Sequence, residues 1–389
     1  MRKKVKILIV HNYYQIPGGE DTVVENEKML LEEHGHDVLL YSRNNSELKH
    51  FSRLQKLLLP ITTVFNLKTY QDVKRIIHEN KVDVVHVHNS LNLISPSVYY
   101  AAFSCRVPVV QTIHNFRLLC PGATFYRDGH ICEDCVSKGL GCAVKHACYR
   151  GSKIQTLACV ISTWIHRKLG TYGKLNYICL TEFNREKLLL LNKPGKKQLI
   201  DPEKIFVKPN FTFENIGGGT SEYYLFIGRI EKIKGMDILL EAFRQLQEPS
   251  LVVAGTGTQL EHYKALASQN VSFTGFLNKK KLNAVISRAK AVIVPSQWYE
   301  TFGMIIAEAY ASHKPVIAGE IGNVPALIEE HVTGLKFGYN STKALVEAIK
   351  EFEKADTSDW GENAYRKYRK QLSPESNYEQ LMCIYEVIR

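Results

Sequence analysis

The sequence lacks any apolar run approaching the about 18–20 residues that a transmembrane helix requires. The apolar segment nearest the start, Lys6–Val10, is too short for a secretory signal and instead predicts a first strand. Both absences lead us to expect a cytoplasmic protein. In that compartment, the nine cysteines predict reduced thiols or metal ligands rather than disulfides.

Acidic residues are scarce in the first half of the chain. Residues 1–209 contain 30 Lys and Arg against 18 Asp and Glu, whereas residues 210–389 contain 20 against 21. No acidic residue lies between Cys135 and Thr181. A one-sided positive field attracts polyanions or an anionic membrane surface. Because no nucleic-acid recognition module accompanies this charge, we expect no nucleic-acid partner and favour a membrane surface or an anionic ligand.

Short apolar segments alternate with helix-forming segments in both halves, which is typical of α/β domains with parallel sheets. The predicted strands are residues 6–10, 38–41, 82–87, 107–112 and 177–180 in the first half, and 223–228, 250–255, 271–274, 291–294 and 315–318 in the second. Two of the predicted helices are 21–34 and 236–246. This pattern predicts two doubly wound Rossmann-like domains that face one another across a cleft, with ligands at the carboxyl ends of the strands.

The predicted domains comprise residues 1–209 and 210–372. Near their join, Gly217–Gly219 has the composition of a flexible linker. The first domain carries a cysteine-rich insertion over residues 120–152, and residues 373–389 form an amphipathic terminal helix.

The segment Ser296–Ala309 carries the strongest functional signal. It follows a predicted strand, and its turn Thr301–Gly303 precedes a helix-forming run that contains Glu308. The first N–H groups of a helix lack intrahelical partners, so a strand, a glycine turn and a helix together build an anion site. Carboxylates at Glu300 and Glu308 suit a neutral polyhydroxylated ligand beside a diphosphate. The segment therefore predicts a nucleotide-sugar site.

Several ordered motifs resemble those of the family-four retaining glycosyltransferases, which have the GT-B fold. Glu300 and Glu308 are similar to the E-x7-E motif, and Gly228–Gly235 is similar to the G-R-x4-K-G signature. Pro17–Glu20 resembles the N-terminal glycine pair of the family, and Val207–Asn210 resembles its V-x-P-N turn between domains. The resemblance covers nearly the whole chain. It implies a GT-B fold in which the terminal helix packs back on the first domain.

The resemblance also implies roles for the residues of the donor site. Arg229 and Lys234 would neutralise the diphosphate that leaves when the anomeric C–O bond breaks. Glu300 would lie near the hydroxyls of the transferred sugar, and Glu308 would bind the ribose hydroxyls. The other implied donor-binding residues act largely through backbone groups and are Gly18, Gly19, Phe276, Gly303, Met304 and Ile305. Because the sequence contains no Asp-x-Asp metal motif, catalysis is expected to require no metal and no other cofactor.

His114 follows the predicted strand 107–112 and resembles the family's active-site histidine, close to the donor sugar. A lone histidine is more often structural, but sites form at the carboxyl ends of parallel strands. Together with Glu300, Arg229 and Lys234, it completes the predicted catalytic set. One position departs from the family pattern, because Asn323 replaces the second glycine of the usual Gly-Gly-Val-Pro and could tune a phosphate or sugar contact.

The insertion contains a group of cysteines that resembles the C-P…C-x-x-C…C-Y-R-G-S pattern of a subgroup of the family. The matching residues are Cys120, Cys132, Cys135 and Cys148. Four thiols including a C-x-x-C pair suit tetrahedral zinc, whereas the irregular spacing leaves free packed thiols as the alternative. In either case the insertion follows His114 and would support the acceptor side of the site.

The segment Glu47–Leu59 is basic on one side and apolar on the other. A basic amphipathic helix of this kind can lie in a membrane interface, although core packing accounts for its leucines nearly as well. The skewed charge of the first half favours the membrane.

These observations and the resemblance predict a glycosyltransferase at the inner face of the membrane, and the resemblance implies that it retains the anomeric configuration. It would move a sugar from a nucleotide-diphosphate sugar to a glycan or lipid-linked acceptor of the cell surface. Three alternatives stay open: a nucleotide-sugar epimerase or hydrolase of the same fold, a non-catalytic glycan- or lipid-binding protein, and a zinc-dependent hydrolase. A dehydrogenase is disfavoured because Gly255–Gly257 lacks the third glycine of a dinucleotide fingerprint.

Overall fold

The computed structural model describes residues 3–15, 18–215 and 221–389 and consists of two compact units. Unit 1 comprises Met1–Arg127, Cys132–Pro209 and Tyr378–Arg389, and unit 2 comprises Asp128–Ile131 and Asn210–Asn377. The predicted linker Gly217–Gly219 lies outside the described residues.

The strands are numbered in chain order. They are β1 (Lys6–Tyr13), β2 (Asp37–Asn44), β3 (Val84–Asn89), β4 (Val109–Ile113), β5 (Tyr126–Arg127), β6 (His130–Ile131), β7 (Asn176–Cys179), β8 (Ile205–Val207), β9 (Tyr223–Ile227), β10 (Leu251–Ala254), β11 (Val271–Gly275), β12 (Ala289–Val294), β13 (Val316–Gly319) and β14 (Gly334–Phe337).

The α-helices are numbered in the same way. They are α1 (Gly19–Glu33), α2 (Arg53–Val64), α3 (Leu67–Asn80), α4 (Ser97–Ser104), α5 (Asp134–Ser137), α6 (Gly141–Lys145), α7 (Lys153–Lys168), α8 (Glu182–Leu189), α9 (Met236–Leu246), α10 (Leu260–Leu266), α11 (Lys279–Ser287), α12 (Met304–Ala311), α13 (Val324–Leu327), α14 (Thr342–Lys354), α15 (Trp360–Lys367) and α16 (Pro374–Ile388). Among the described residues, none of these helices is both long and apolar enough to cross a membrane.

Unit 1 is built on a six-stranded sheet in the order β2-β1-β3-β4-β7-β8, and its neighbouring strands pair in parallel. The central strand β3 is buried at all six residues, as expected for a strand covered by helices on both faces. The register aligns Ile9 with Leu40 on one side and with His86 on the other. The strand order reverses between β1 and β3, and such a switch point is where doubly wound sheets bind ligands.

Unit 2 contains a second parallel six-stranded sheet in the order β11-β10-β9-β12-β13-β14. Its core joins the sheet to α9 and α14 through buried residues such as Leu239, Phe243 and Ile349. The order reverses between β9 and β12, so the loops that follow these two strands form the switch point of this sheet. Both sheets confirm the predicted α/β fold class.

The terminal helix α16 places two tyrosines in unit 1. Tyr378 Oη lies 3.0 Å from His36 Nε2, and Tyr385 Oη lies 2.7 Å from His86 Nδ1. Tyr385 and His86 are completely buried, so the last helix contributes hydrogen bonds to the interior of the first sheet.

The predicted amphipathic helix over Glu47–Leu59 was wrong in its extent. Residues Asn45–Lys49 form a 3-10 turn, and α2 begins only at Arg53. The physical reason is a capping box, in which the Gln55 N–H donates to Ser52 Oγ at 3.3 Å and the Ser52 N–H donates to Gln55 Oε1 at 2.8 Å. The helix therefore starts at this cap and continues to Val64.

Candidate active site

The switch point of unit 2 brings two loops into close contact. The loop after β9 ends at Gly235, which has φ +83°, and a Cβ at this position would lie only 1.9 Å from the carbonyl oxygen of Pro295. Glycine is therefore required both for the backbone conformation and for the close approach. This approach places Lys234, which precedes Gly235, beside the loop that carries Glu300.

Lys234 and Glu300 form a largely buried ion pair, with Lys234 Nζ 2.5 Å from Glu300 Oε1. The same carboxylate oxygen accepts hydrogen bonds from Trp298 Nε1 at 2.8 Å and from Ser296 Oγ at 2.7 Å. Lys234 Nζ also lies 5.0 Å from the centroid of the Trp298 ring, a cation–π distance. Burial alone would raise the pKa of Glu300, but the charge of Lys234 and the hydrogen bonds from Lys234, Ser296 and Trp298 together outweigh burial and lower the pKa below its usual value. Glu300 is therefore a carboxylate.

Arg229 takes a different position in the same loop. Its side chain is 57% exposed, and Arg229 Nη1 lies 3.2 Å from Glu231 Oε1. It forms no part of the Lys234–Glu300 pair, so the structure leaves the guanidinium at the surface of the switch point.

The helix α12 begins directly after Gly303, which has φ +90°. The N–H groups of Met304 and Ile305 belong to its first turn, where no intrahelical acceptor exists. Glu308 lies on the same helix, one turn from Met304. Its carboxylate forms no hydrogen bond or ion pair within the described part of the chain, and burial raises its pKa to about 7 while Lys279 opposes the shift.

Two further predicted residues of unit 2 lie near these loops in the chain. Phe276 follows β11 and is 80% exposed, so its ring is accessible to a ligand. Asn323, in contrast, is completely buried, and Asn323 Nδ2 donates to the Phe302 carbonyl at 2.7 Å. Its side chain thus holds the turn that precedes Gly303, and the expected tuning of a phosphate or sugar contact stays a prediction.

In unit 1, His114 follows β4 and is buried to 8% exposure. His114 Nε2 lies 2.9 Å from His88 Nδ1. Burial and the neighbouring His88 hold the pKa of His114 well below its usual value, so the imidazole is neutral. Both histidines line a cavity of about 90 Å³, together with Asn115 and Arg117.

His88 also belongs to a buried group of titratable side chains that the sequence did not indicate. Glu27 Oε1 lies 2.9 Å from His86 Nδ1 and 3.3 Å from His88 Nε2, and Glu27 Oε2 lies 3.3 Å from Lys208 Nζ. The only available signal was the alternation of His86 and His88 in β3, which places both rings on one face of the sheet.

Gly18 and Gly19 lie at the start of α1. The Gly18 N–H donates to Asp21 Oδ2 at 3.0 Å, and Asp21 Oδ1 lies 2.7 Å from His11 Nε2. Asp21 thus satisfies the Gly18 amide and caps the helix. A Cβ on Gly18 would meet nothing within 4 Å, so steric crowding does not require glycine there.

The four predicted zinc ligands come from separate parts of the insertion. Cys120 is buried, and Cys132, Cys135 and Cys148 are half-buried. Gly122 allows the close approach of two of them, because a Cβ there would lie 3.7 Å from Cys120 Sγ and 3.2 Å from the Cys148 carbonyl oxygen. Burial and the neighbouring Cys120 and Cys148 raise the pKa of the Cys135 thiol to about 12. Among the described residues, the ligand atoms of Glu27, His86 and His88 lie within 4.8 Å of one another, whereas the cysteines form no group of three that is this close.

Within each unit, the structure joins some predicted site residues and separates others. In unit 2, Lys234 and Glu300 are in contact and Met304 begins a helix at the end of the same loop. In unit 1, His114 contacts His88, a residue that the sequence motifs did not indicate.

Comparisons with known proteins identify the family of this chain. Residues 208–367 match the model of glycosyl transferases group 1, and residues 17–130 match that of glycosyltransferase family 4. An uncharacterized 41.2 kDa protein in the cps region of Klebsiella pneumoniae is 22% identical over 353 residues, which is 88% of each chain. The O-antigen chain mannosyltransferase C of Escherichia coli is 28% identical over 173 residues, 43% of this chain and 47% of that one.

The fold also matches solved structures. The structure of Anabaena HepE in complex with UDP and glucose superposes with a TM-score of 0.66 at 17% identity, covering 98% of this chain and 99% of that one. The two family models follow one another along the chain and include the predicted glycine pair, His114, Arg229, Lys234 and both glutamates. The chain belongs to the group 1 glycosyltransferases and has the GT-B fold.

Proposed function

We propose that the protein transfers a sugar from a nucleotide-diphosphate sugar to a glycan or lipid-linked acceptor, with retention of the anomeric configuration, in the synthesis of cell-surface polysaccharide. The observation that carries this proposal is the Lys234–Glu300 pair in the loops that precede the first turn of α12. A cation and unpaired amides suit the diphosphate, and a buried carboxylate suits the hydroxyls of a sugar.

The proposed chemistry needs no catalytic metal. The bond between the anomeric carbon and the diphosphate oxygen breaks, and Arg229 and Lys234 stabilise the leaving diphosphate. The acceptor oxygen bonds to the anomeric carbon on the same face, and its proton passes to the departing phosphate. No covalent intermediate with the protein is required.

The remaining predicted residues take binding roles in this proposal. Glu308 accepts hydrogen bonds from the ribose hydroxyls, and the loop at Phe276 receives the base. His114 lies against the transferred sugar, and the glycine pair at Gly18 and Gly19 lies near the phosphates. The complex of Anabaena HepE with UDP and glucose supports a nucleotide sugar as donor, and the O-antigen mannosyltransferase relative supports a polysaccharide product.

We also propose that unit 1 lies on the inner face of the membrane through an apolar face formed by α2 and α7. The two helices pack together, and Ser162 Oγ donates to the Thr63 carbonyl at 3.2 Å. Large apolar side chains are 42–74% exposed at three- and four-residue spacing along both helices, at Leu54, Leu57, Ile61, Ile154, Leu157, Ile161 and Trp164.

The charges around this apolar face suit anionic lipid. Exposed cations accompany the apolar side chains, namely Arg53, Lys56, Lys153 and Lys168. No acidic residue occurs in the sequence between Glu47 and Asp72, or between Asp134 and Glu182. Exposed apolar side chains flanked by cations are the combination that binds an anionic membrane interface.

A structural zinc held by Cys120, Cys132, Cys135 and Cys148 is a further part of the proposal. Four cysteines that include a C-x-x-C pair suit this metal once their thiols are deprotonated, and a structural site contributes to folding rather than to chemistry. Metal analysis should find one zinc per chain, and a chelator should lower the melting temperature. Protein that melts at the same temperature after complete metal removal would refute the zinc site.

Release of the nucleoside diphosphate tests the proposed activity. Purified protein should release it from one nucleotide sugar when a membrane glycolipid extract is supplied, and the anomeric configuration of the product, read by NMR, should equal that of the donor. Equal turnover without acceptor would indicate an epimerase or hydrolase. An inverted product would contradict retention.

A further inference from the structure

Two arginines of unit 1 lie against the ring of one tyrosine. Arg117 Cζ lies 5.2 Å and Arg150 Cζ lies 5.3 Å from the centroid of the Tyr149 ring, and both are cation–π distances. The two guanidiniums are therefore at most 10.5 Å apart, which is the sum of these distances. Tyr149 and Arg150 belong to the C-Y-R-G-S part of the cysteine motif, and the chemistry proposed above uses neither of them nor Arg117.

Hydrogen bonds from the side chain and the backbone of Tyr149 hold its ring in place. Tyr149 Oη donates to Asn92 Oδ1 at 3.1 Å, and the Tyr149 N–H donates to Thr156 Oγ1 at 3.0 Å. Thr156 lies near the start of α7 and is completely buried. Because the ring is fixed, guanidiniums that pack on it lose less conformational freedom when they bind a ligand.

No ion pair neutralises these two guanidiniums. Within the described part of the chain, Arg117 and Arg150 form no ion pair with a carboxylate, and residues 135–181 contain no Asp or Glu. Glu20 is near enough for the charge of Arg117 to act on it, but burial outweighs that charge and raises the pKa of Glu20 to about 7. The Glu20 carboxyl is therefore only about half ionised at neutral pH, and its Oε2 already accepts a hydrogen bond from Tyr14 at 2.8 Å. Two cations with so little counter-charge attract an anion.

Arg117 also has a buried donor without an acceptor. Arg117 Nη1 donates to the Pro121 carbonyl at 3.2 Å, whereas its Nε is buried and has no hydrogen-bond partner among the described residues. An unsatisfied buried N–H is unfavourable, and native proteins contain few of them. Arg117 lines the same cavity as His114, and an anion beside Arg117 would supply this acceptor.

The two arginines lie beside α7, one of the two helices in the proposed membrane face. This helix begins three residues after Arg150. Ile154, in its first turn, is 74% exposed on the apolar face, whereas Ser162 and Thr163 are buried and line the cavity together with Arg117. One side of α7 thus belongs to the apolar face and the other to the cavity, and Arg150 lies just before its first turn.

We propose that Arg117 and Arg150, held by Tyr149, bind the phosphate or diphosphate of a lipid-linked acceptor. The planar N–H groups of a guanidinium match phosphate oxygens in pairs. The lipid chain lies along the apolar face of α2 and α7, and the acceptor sugar extends from the phosphate toward His114. The role as acceptor rests on the proposed function, whereas the binding of the anion does not. A carboxylate of an acidic glycan has similar chemistry, so the experiment includes both sources.

Farnesyl diphosphate is a suitable probe, because it joins a diphosphate to a lipid chain and carries neither a sugar nor a nucleoside. Farnesol supplies the lipid chain without the anion, and glucuronic acid supplies a carboxylate without the lipid. Titration calorimetry of wild type should show saturable binding of farnesyl diphosphate. Each of the other two compounds should bind at least about tenfold more weakly, since charge-assisted hydrogen bonds to phosphate are lost.

Substitution of either arginine should weaken the binding of farnesyl diphosphate. Arg150 is exposed, so Arg150→Gln should fold normally, and it should lower this affinity about 10–100-fold, as should Arg117→Gln. Lys168→Gln is the matched control, because it removes one positive charge from the far end of α7, where Lys168 Nζ lies 6.0 Å from the centroid of the Trp164 ring. Its affinity should stay within about twofold of wild type, since salt screens a distant exposed charge.

Tyr149 acts by positioning the two arginines, so its substitutions separate the ring from the charge. Tyr149→Leu removes the ring but no charge and should lower the affinity for farnesyl diphosphate about tenfold. Tyr149→Phe keeps the ring and should retain most of this affinity. Both variants should bind a nucleoside diphosphate as wild type does, because the proposed donor site lies in unit 2, whereas a general loss of structure would weaken both ligands.

The donor site provides the comparison that separates this proposal from the proposed function. Lys234→Ala should weaken a nucleoside diphosphate but not farnesyl diphosphate, and Arg150→Gln should do the reverse. Equal affinities for farnesyl diphosphate in wild type and both arginine variants would overturn the proposal, as would no binding by wild type or tighter binding of glucuronic acid. If the binding of farnesyl diphosphate depended on Arg150 but wild type bound no nucleoside diphosphate, the proposed function would fail and the anion site would stand.

Discussion

Lys234 Nζ lies 2.5 Å from Glu300 Oε1, and the same oxygen also accepts hydrogen bonds from Trp298 and Ser296. This pair joins two residues to which the motifs give different tasks, charge neutralisation for one and sugar recognition for the other. Because Trp298 and Ser296 hold the carboxylate independently of Lys234, the ammonium can turn toward a phosphate while Glu300 stays in place. In the proposed donor site, Lys234 would then face the diphosphate while Glu300 stays in place beside the sugar.

Lys234→Ala should weaken the binding of a nucleoside diphosphate by about 10–100-fold, since a hydrogen bond to a charged group contributes about 1.5–3 kcal/mol. Lys232→Ala is the matched control. Its side chain lies in the same 3-10 turn, is 67% exposed and pairs with Asp237 at 3.5 Å. Titration calorimetry of both variants checks this prediction. Equal affinities in the two variants would contradict it.

Donor binding should depend on pH through Glu308. Burial raises the pKa of this carboxyl to about 7. Only the ionised carboxylate has both oxygens available to accept hydrogen bonds from the two ribose hydroxyls, because the protonated form holds its proton on one of them. Affinity for the nucleotide sugar should therefore fall below pH 7, by up to about tenfold at pH 6. Nucleotide sugar is the suitable probe because its diphosphate does not titrate in this range. In Glu308→Gln the pH profile should become flat, and a wild-type profile that is equally flat would refute the role.

The same pKa shift has a consequence for stability. A carboxyl whose pKa is higher in the folded than in the unfolded state destabilises the fold when it ionises. The free energy of unfolding should therefore fall as the pH rises from about 4.3, the pKa of the unfolded chain, to about 7, the pKa in the folded protein. Urea unfolding should show that Glu308→Gln is more stable than wild type at pH 8 and that this advantage shrinks toward pH 5.

Gly235→Ala tests the close approach of the two loops in unit 2. The new Cβ would lie 1.9 Å from the Pro295 carbonyl oxygen, in a backbone with φ +83°. We expect a loss of roughly 3–5 kcal/mol in the free energy of unfolding, from left-handed backbone strain and overpacking. Gly275→Ala shares the positive φ, +71°, but its Cβ meets nothing within 4 Å, so it should cost only about 1–2 kcal/mol. Equal losses would show that the loops do not pack as described.

Much of the fold could be predicted from the sequence, because buried parallel strands are continuous apolar runs. The strand at Val316–Gly319 and the helix Met236–Leu246 follow the predicted segments to within one residue. The strands Ile205–Val207 and Gly334–Phe337 were not predicted. The first has only three residues, and the second contains Gly334 and Lys336, so neither forms an apolar run.

The site was predictable only where a motif spans a short stretch of chain. The loop at Gly235 and the turn before Met304 could be identified in this way, but the Lys234–Glu300 contact joins residues 66 positions apart. Glu27 gives no signal either, since a glutamate on an amphipathic helix usually faces solvent and this one is buried against His86. Such contacts depend on strand order, which composition and periodicity do not encode.

The apolar face of α2 and α7 should bind anionic vesicles. A double variant, Leu57→Ser with Ile154→Ser, changes two side chains that are each 74% exposed. It should lower the affinity for anionic vesicles at least about tenfold, because each substitution removes apolar surface that the membrane would bury. The control, Leu266→Ser with Val387→Ser, changes residues that are 58% and 67% exposed elsewhere on the chain. Vesicle sedimentation of wild type should also show weaker binding to zwitterionic than to anionic lipid, and weaker binding to anionic lipid at high than at low salt. Equal sedimentation of both double variants would refute this membrane face.

The central claim, a nucleotide-sugar site in unit 2, is tested most directly by a thermal-shift screen against nucleoside diphosphates and their sugars. Arg229→Ala runs beside wild type, because its side chain is exposed and its loss should not disturb folding. We predict that one nucleotide and its sugar raise the melting temperature of wild type, as mass action requires for a ligand of the folded state, and that Arg229→Ala loses most of this shift. No shift with any nucleotide, or an equal shift in the variant, would contradict the claim.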